Sequence, residues 1–169
     1  MNPILAAGLF IGVFSGLWAF VMGLSGWYKD PAMVWAFWAV VAIEVFGLTW
    51  GLRQTAREGR GWASQVLAGT MMSVIAGIVV AAASLMLTTW LVPEYFSEIA
   101  RISREGMQRQ GRTDAEIARA LESSAAQAVP MAQAMAGFTA TLITGIVASA
   151  AIALVIRARP AGAEATKAT

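Results

Sequence analysis

The sequence predicts an all-α integral membrane protein: a four-helix bundle with an extramembrane amphipathic helical hairpin between its third and fourth spans. Composition is the first reason, because the 169-residue chain is 58% hydrophobic and only 13% charged, whereas soluble domains are about 25% charged. Charge distribution is the second. Every basic and acidic side chain except Glu44 falls outside four long apolar stretches. Lipid is therefore the expected solvent of this chain.

Each apolar stretch is long enough to cross a bilayer, since about 20 residues at 1.5 Å per residue span a hydrocarbon layer of about 30 Å. The predicted spans cover residues 3–26, 32–52, 62–91 and 131–156. The third is longer than needed, so it must tilt or extend beyond the hydrocarbon. Residues 93–130 are predicted to form the hairpin and residues 157–169 a tail, all within a single membrane domain of residues 1–169.

The absence of cysteine and histidine excludes many site chemistries. It removes disulfides, cysteine nucleophiles, histidine bases and the usual zinc and haem ligands. The basic residues are few and dispersed, so no nucleic-acid partner is expected. We predict a non-enzymatic protein with no catalytic residue, no metal site and no required cofactor. Lipid, quinone or carotenoid could still fill grooves near Trp18 or Trp38 without a covalent bond.

The basic residues also predict orientation. Arginines are concentrated between spans two and three, in residues 53–61, and basic residues recur in the tail. The loop between spans one and two offers only Lys29, which we expect Asp30 to neutralise. The positive-inside rule then places both termini in the cytoplasm. Against this stand five arginines in the hairpin, although acidic residues outnumber them there.

Aromatic residues with a polar edge cluster near the predicted span ends, where such rings anchor helices at the membrane–water interface. The predicted interfacial anchors are Trp27, Tyr28, Trp35, Trp50, Trp62 and Trp90. Trp18 and Trp38 lie deeper. The sequence leaves open whether these two face lipid, pack between helices or contact a bound apolar molecule.

Three spans carry small residues at every fourth position, a pattern that lets helix backbones approach closely in lipid. The predicted helix-packing residues are Gly8, Gly12 and Gly16 in span one, Gly69, Ser73 and Gly77 in span three, and Gly137, Thr141 and Gly145 in span four. These stripes either close the bundle on itself or face outward toward a second copy or another subunit. Internal packing is favoured, because each helix of a small bundle has three others to contact.

Glu44 lies near mid-membrane, where a charged carboxylate costs several kcal/mol. No lysine or arginine lies in any span, so we expect Glu44 to be protonated. Matching depths across the helices predicts an intramembrane polar site composed of Glu44, Ser15, Thr70, Ser73 and Thr144. A structural pin that holds helices together is the favoured interpretation. The alternative is a carboxyl group that binds and releases a proton or cation.

The segment between spans three and four has the pattern of two short amphipathic helices. Apolar residues recur there at helical spacing, and Gly111 supplies a stop between the helices. Thr113 and Glu116 have capping-box spacing, which predicts the start of the second helix. The apolar faces must be buried on each other, on the span ends, on lipid headgroups or on a partner protein.

The order of these elements resembles a known family. Two close spans and an arginine-bearing turn precede a third span that ends in Pro93-Glu94-Tyr95; the hairpin contains Gly111-Arg112-Thr113-Asp114-Ala115-Glu116-Ile117, and a Pro-led Gly/Ala-rich span follows. Over most of the chain this arrangement resembles a bacterial four-span inner-membrane family catalogued only as a domain of unknown function. The resemblance implies a multi-pass protein of the bacterial inner (cytoplasmic) membrane and brings no activity with it.

Three functions are consistent with the sequence. The favoured one is a structural or accessory subunit of a larger membrane complex, such as a respiratory or photosynthetic one, or a homo-oligomer. The alternative is a small transporter or a proton- or ion-linked membrane protein that uses Glu44. An intramembrane enzyme is least favoured, because no histidine or lysine base lies in a span and Glu44 has no second carboxyl group. The expected partners are membrane lipids and other membrane subunits or a second copy.

Overall fold

The computed structural model describes residues 2–57, 59 and 61–157. Over these residues the chain forms α-helices, shorter helical turns and loops, without a strand. The α-helices are α1 (Pro3–Ser25), α2 (Trp38–Ala56), α3 (Trp62–Met86), α4 (Tyr95–Arg109), α5 (Asp114–Ala125) and α6 (Pro130–Arg157). Four segments have the length and apolar composition of membrane spans: Pro3–Ser25, Trp35–Ala56, Trp62–Leu91 and Pro130–Ile156. The predicted all-α, four-span class is confirmed, and tail residues 158–169 lie outside the described part.

Helix α1 begins and ends at residues suited to those positions. The Asn2 side chain accepts a hydrogen bond from the Ile4 N–H at 3.0 Å, and Pro3 occupies the first helical position. That N–H would otherwise lack a partner, and proline has no N–H to satisfy there. At the other end Gly26 adopts a left-handed conformation with φ of 73°, which glycine reaches without steric cost.

The second span differs from the regular helix predicted over residues 32–52. It begins as a 3₁₀ segment, Pro31–Phe37, in which Asp30 accepts from the Ala32 N–H at 2.8 Å. The α-helical part starts only at Trp38 and continues to Ala56, four residues beyond the predicted end. The extension is stabilised by burial, because Thr55 is fully enclosed against α3 rather than placed in an aqueous turn.

Helix α3 lies at the centre of the bundle. It has extensive contacts with α6 on one side and α1 on the other, while α2 packs mainly against α1 and α6. It continues through a π-helical turn, Leu87–Leu91, which carries the span to its end. The main apolar core lies where α1, α2 and α3 meet. It consists of Ala7, Ile11, Leu48, Leu52, Ala68, Met72 and Ala76.

The predicted helical hairpin is present as α4 and α5. Gly111 lies in the turn between them with a φ of 76°. It ends α4, as predicted. Thr113 caps α5 in a complete capping box: its hydroxyl accepts from the Glu116 N–H, and its own N–H donates to the Glu116 carboxylate at 2.8 Å. Pro93 lies in the turn before α4.

The hairpin is attached to the loop between the first two spans. Lys29 pairs with Glu98 of α4, with Nζ 2.9 Å from the carboxylate, and the ring centroids of Tyr28 and Tyr95 are 4.9 Å apart. Asp30 balances the charge of Lys29 in the loop, but the ion-pair partner of Lys29 is Glu98. Asp30 instead uses its carboxylate to cap the 3₁₀ segment, so an acid distant in sequence supplies the partner of Lys29.

Candidate functional site

The small residues of α3 and α6 face each other across an antiparallel contact. A Cβ atom built on Gly69 would overlap the Ser149 side chain, and one built on Gly145 would overlap the Ser73 side chain. One built on Gly77 would lie 2.8 Å from the Phe138 ring. Each glycine thus makes room for a side chain of the opposite helix. We refer to Gly69, Ser73, Gly77, Gly145 and Ser149 as the α3–α6 seam.

The stripe on α1 contacts α3 in a parallel arrangement. A Cβ atom added at Gly8 would lie 2.8 Å from both Ile75 Cβ and the Met72 carbonyl oxygen, and one added at Gly12 would lie 2.6 Å from Val79 Cβ. Such separations are too short for carbon atoms in van der Waals contact, which settle near 3.5–4.0 Å. These glycines are required for α1 to approach α3 this closely.

The remaining residues of the stripes differ in how closely the neighbouring helix approaches them. At Gly16 an added Cβ would lie 3.0 Å from Ala83 Cβ, whereas at Gly137 it would lie 3.4 Å from Val80 Cγ1, an ordinary contact. Thr141 is buried on α6. The stripes therefore pack inside the bundle, with Gly137 the least constrained of the three small residues of span four.

Glu44 projects from α2 into the region beside the α3–α6 seam. Only 2% of the residue is exposed. A Cβ atom on Gly145 would lie 2.9 Å from Glu44 Oε1 as well as overlapping Ser73, so the carboxyl group and the Ser73 hydroxyl share one small space. Glu44 therefore joins α2 to both α3 and α6.

Two buried polar atoms in this space lack a hydrogen-bond partner within the described part of the chain. Among the described residues, neither Glu44 Oε1 nor Ser73 Oγ has a hydrogen bond of standard geometry to another protein atom. A neutral carboxyl group carries one O–H donor and a hydroxyl can accept. A protonated Glu44 that turned slightly toward Ser73 would donate its hydrogen to the hydroxyl oxygen.

The other hydroxyl residues predicted around Glu44 have different surroundings. Thr70 donates its hydroxyl hydrogen to the Val66 carbonyl oxygen of its own helix at 2.9 Å. Ser15 is buried on α1, with no hydrogen-bond partner for its hydroxyl in the described part of the chain. Thr144 is half-buried next to Gly145. Of the four candidates, Ser73 is the one whose hydroxyl shares the space at Gly145 with the carboxyl group.

A second buried polar pair was not predicted. Thr55 near the end of α2 donates to Gln65 Oε1 near the start of α3 at 2.7 Å, and both residues are buried. The signal in the sequence was the position of Gln65, one helical turn before Ala68 and Gly69 on the face that packs inward. Thr55 was missed because it follows Arg53 and was assigned to an aqueous turn.

The aromatic anchors fall into two groups. Trp35 and Trp90 are 69% and 76% exposed in the isolated chain, as expected of rings at a lipid surface; Trp27 and Trp50 are also exposed. Trp62 donates its indole N–H to the Ala150 carbonyl oxygen at 3.3 Å, so it also fastens α3 to α6. Tyr28 is half-buried against the hairpin.

The two deeper tryptophans differ from each other. Trp18 donates its indole N–H to the Ala36 carbonyl oxygen at 2.9 Å and is partly buried. It therefore packs between the first two spans and supports the 3₁₀ segment. Trp38 is 70% exposed on the outside of the bundle, so its ring does not pack between the four spans.

Two cavities lie at the hairpin end of the molecule. The smaller one, about 90 Å³, is enclosed by the span ends and the hairpin, and its lining includes Tyr28, Thr88, Tyr95 and Gln133. The larger one is an open groove of about 610 Å³ between α4, α5 and the start of α6. Glu44 lines neither of them. The buried carboxyl group and the two cavities are therefore separate features.

The charged groups of the hairpin are held by local partners. Hydrogen bonding to Lys29, and then to Arg101, lowers the pKa of Glu98. Hydrogen bonds from Thr113 lower the pKa of the Glu116 carboxyl group in the capping box. Burial raises the pKa of the Tyr95 phenol, and neighbouring Tyr28 adds to the shift. The pairings of Lys29 with Glu98 and of Thr113 with Glu116 therefore hold the carboxylates in place.

The described residues contain no group of three histidine, cysteine, aspartate or glutamate side chains close enough to hold a metal ion. The buried site consists of one carboxyl group and serine hydroxyls. These groups can hold a proton and join helices by hydrogen bonds.

Four apolar helices packed through small residues, with a single carboxyl group enclosed among them, define an all-helical four-span membrane protein. Residues 6–158 match the family described as protein of unknown function (DUF4199), and the chain belongs to that family. The predicted resemblance to a four-span family of unknown function is thereby confirmed. Among curated proteins and solved structures, no match to this chain is found.

Proposed function

We propose that this chain is a non-enzymatic structural or accessory subunit of a larger membrane complex, of a respiratory or photosynthetic kind, or a homo-oligomer. The observation that carries the proposal is a lateral groove on α2. It has a volume of about 610 Å³ and is lined by Ala42, Val45, Phe46, Thr49, Trp50 and Arg53. Small residues lie there between large aromatic ones. A neighbouring helix can pack the ridges of its side chains into the groove that such a surface forms.

The chemistry of the α2 groove suits a helix from another subunit. Thr49 donates its hydroxyl hydrogen to the Val45 carbonyl oxygen at 2.7 Å, so it requires no external partner. Phe46 is 66% exposed. From Ala42 to Arg53 the groove follows α2 for about 16 Å, roughly half of the hydrocarbon thickness. A partner helix could bury this length without exposing a polar group to lipid.

The interior of the bundle supports the same proposal. Its small residues and Glu44 are engaged in contacts among α1, α2, α3 and α6, so association must use an outer face. We place the protein in the bacterial inner membrane with both termini in the cytoplasm. The arginines around residues 53–57 support this orientation by the positive-inside rule, and the hairpin then lies on the opposite side.

Cysteine cross-linking in native membranes tests the proposal, because the chain has no cysteine of its own. Single variants Ala42→Cys and Thr49→Cys place a thiol in the α2 groove. Met71→Cys and Ile143→Cys, at exposed positions of α3 and α6, serve as matched controls. We expect groove thiols to give one discrete adduct, with another subunit or a second copy, in greater yield than the controls. Equal yields at all four positions would refute the docking face.

A second candidate function rests on Glu44 itself. A carboxyl group that is 2% exposed, with Oε1 lacking a protein partner among the described residues, is costly to retain without a use. Proton- or ion-linked transport would provide one. It would require Glu44 to reach water during a conformational change that separates α2 from the α3–α6 seam.

Flux measurements distinguish the second candidate from the first. Proteoliposomes with a pH-sensitive dye inside would show proton movement that Glu44→Gln abolishes, while Thr49→Val on the outer face of α2 leaves it unchanged. Flux that is indistinguishable from empty liposomes, or that persists in Glu44→Gln, would exclude a proton-carrying role for Glu44.

A further inference from the structure

A basic pocket between the first two spans is the strongest feature that the proposed function leaves unexplained. It has a volume of about 430 Å³ and is lined by Pro3 at the start of α1 and by Trp50, Arg53, Gln54 and Arg57 at the end of α2. Two of these five residues carry a positive charge, and none is acidic. The described lining of the pocket is therefore complementary to an anion.

The two arginines lie on the same face of α2. They are four residues apart, and Arg57, which follows the last helical residue, keeps right-handed helical angles with φ of −63° and ψ of −17°. Side chains at this spacing on a helix are neighbours, and two like charges in that arrangement repel each other. An anion held between the two guanidinium groups replaces the repulsion with attraction to both. Gln54 adds an amide group that can donate a hydrogen bond.

The pocket lies where the second span leaves the hydrocarbon. The ring of Trp50, one helical turn before Arg53, is 41% exposed, as an interfacial anchor is. Pro3 in the first turn of α1 forms the opposite wall. One turn deeper the two helices meet closely, since a Cβ atom added at Gly51 would lie 2.6 Å from Ala7 Cβ. This contact bounds the pocket on the side of the bilayer centre, so the pocket is at the depth of the lipid headgroups.

The chemistry of the lining suits the phosphate group of a lipid. A planar guanidinium group binds phosphate oxygens through paired hydrogen bonds, and basic pockets between membrane helices bind anionic headgroups. Phospholipid phosphates surround every span at this depth, so the ligand is present wherever the chain is inserted. A lipid with a net negative charge is favoured over a zwitterionic one, because a choline group would bring a positive charge toward the arginines.

We propose that this pocket binds the phosphate group of an anionic phospholipid, from the leaflet on the side of the turn between the second and third spans. Arg53 and Arg57 bind the phosphate oxygens, Gln54 donates to the headgroup, and the acyl chains remain in the surrounding bilayer. The proposal does not depend on what occupies the α2 groove, because Gln54 and Arg57 line the pocket but not that groove.

Native mass spectrometry of the full chain in detergent measures which lipid stays bound. The chain is incubated with equal amounts of phosphatidylglycerol and phosphatidylcholine, and a parallel sample receives inorganic phosphate at the same concentration as the lipids. We expect phosphatidylglycerol to be retained several-fold more than phosphatidylcholine, and inorganic phosphate to leave it in place. Equal retention of the two lipids would overturn the proposal. Displacement by inorganic phosphate would show a site for free phosphate and would overturn it too.

Substitutions in the pocket supply the second arm of the test. Arg53→Gln combined with Arg57→Gln should reduce the preference for phosphatidylglycerol several-fold, and Arg57→Gln alone should reduce it in part. Arg104→Gln combined with Arg119→Gln removes the same charge from the hairpin and should keep the preference of the parent chain. All four side chains are exposed, so we expect unchanged helical content by circular dichroism.

Three results of this second arm would refute the proposal. The first is an equal loss of preference in the pocket and hairpin variants, which would show that only overall charge attracts the lipid. The second is a preference that survives loss of both pocket arginines. The third is a membrane protein with an acidic segment that occupies the pocket in place of lipid, detected as a partner that the parent chain retains and the pocket variant loses.

Discussion

Ser73 of α3 and Glu44 of α2 place their polar groups in one small space, which exists because Gly145 of α6 has no side chain. Three spans therefore meet at a single hydroxyl–carboxyl contact. A protonated carboxyl group can donate there to the hydroxyl oxygen. This contact joins the second span to the central pair of helices and explains how a carboxyl group is accommodated at that depth.

Gly145→Ala should destabilise the bundle more than Gly137→Ala. The new methyl group at position 145 overlaps Ser73 and meets Glu44, whereas at position 137 it lies 3.4 Å from Val80. Overpacking typically costs about 1–3 kcal/mol, while alanine gains up to about 1 kcal/mol in helix propensity over glycine. Denaturation in mixed detergent micelles measures both variants. Equal stabilities would show that the α3–α6 seam is looser than described.

The Glu44–Ser73 contact should appear as a coupling energy. Glu44→Leu, Ser73→Ala and the double variant form a cycle that isolates the pair. Hydrogen bonds between helices in membranes contribute about 0.6 kcal/mol on average and up to about 1.7, so we expect a coupling in that range. Thr70→Ala provides the matched cycle with Glu44→Leu and should give nearly zero, because its hydroxyl is bonded to Val66. A larger coupling to Thr70 than to Ser73 would contradict the assignment.

Acidification should loosen the attachment of the hairpin to the first loop. The hydrogen bond from Lys29 lowers the folded-state pKa of Glu98, below the ordinary glutamate value of about 4.3. A lowered pKa contributes stability that is fully present above the unfolded value and is lost as pH falls through the folded value. Hydrogen exchange of α4 and of residues 27–30 should therefore increase below about pH 4. Glu98→Gln should remove this pH dependence; if it persisted, another acid would be responsible.

The capping box should set the stability of the start of α5. Thr113→Ala removes the hydroxyl that accepts from the Glu116 N–H, a change that typically costs about 1 kcal/mol. Exchange of the amides at 114–117 should accelerate several-fold, whereas Ser123→Ala, which alters an exposed hydroxyl in the same helix, should leave them unchanged. The same exchange rate in both variants would show that packing of Ile117, not the cap, holds this end.

The sequence was sufficient for the parts of the fold that depend on local pattern. Apolar length located the four spans, and Thr113 and Glu116 located the start of α5, since both signals act within a few turns of one helix. The structure places glycines of the small-residue stripes at close contacts between helices. They could not identify their partners, because the opposing residues, such as Ser149 for Gly69, lie far away in sequence and depend on the register of two helices.

Contacts that depend on helix rotation were the least predictable. Depth alone gave Glu44 four possible hydroxyl neighbours, and only the rotation of α3 places Ser73 rather than Thr70 beside it. The same reason accounts for Lys29, whose partner Glu98 follows from how the hairpin folds back. The 3₁₀ segment Pro31–Phe37 was missed because its apolar composition is equally typical of an α-helical span.

The state of the protein in its own membrane tests the central claim, that this chain works by association. Gentle solubilisation followed by native mass spectrometry gives the mass of the intact particle directly. We predict a discrete species heavier than one chain, containing a second copy or another membrane subunit, that dissociates when Phe46→Ala and Trp50→Ala remove the rims of the α2 groove. A single lipid-bound chain of 17.8 kDa, recovered from native membranes under the mildest conditions, would contradict the account.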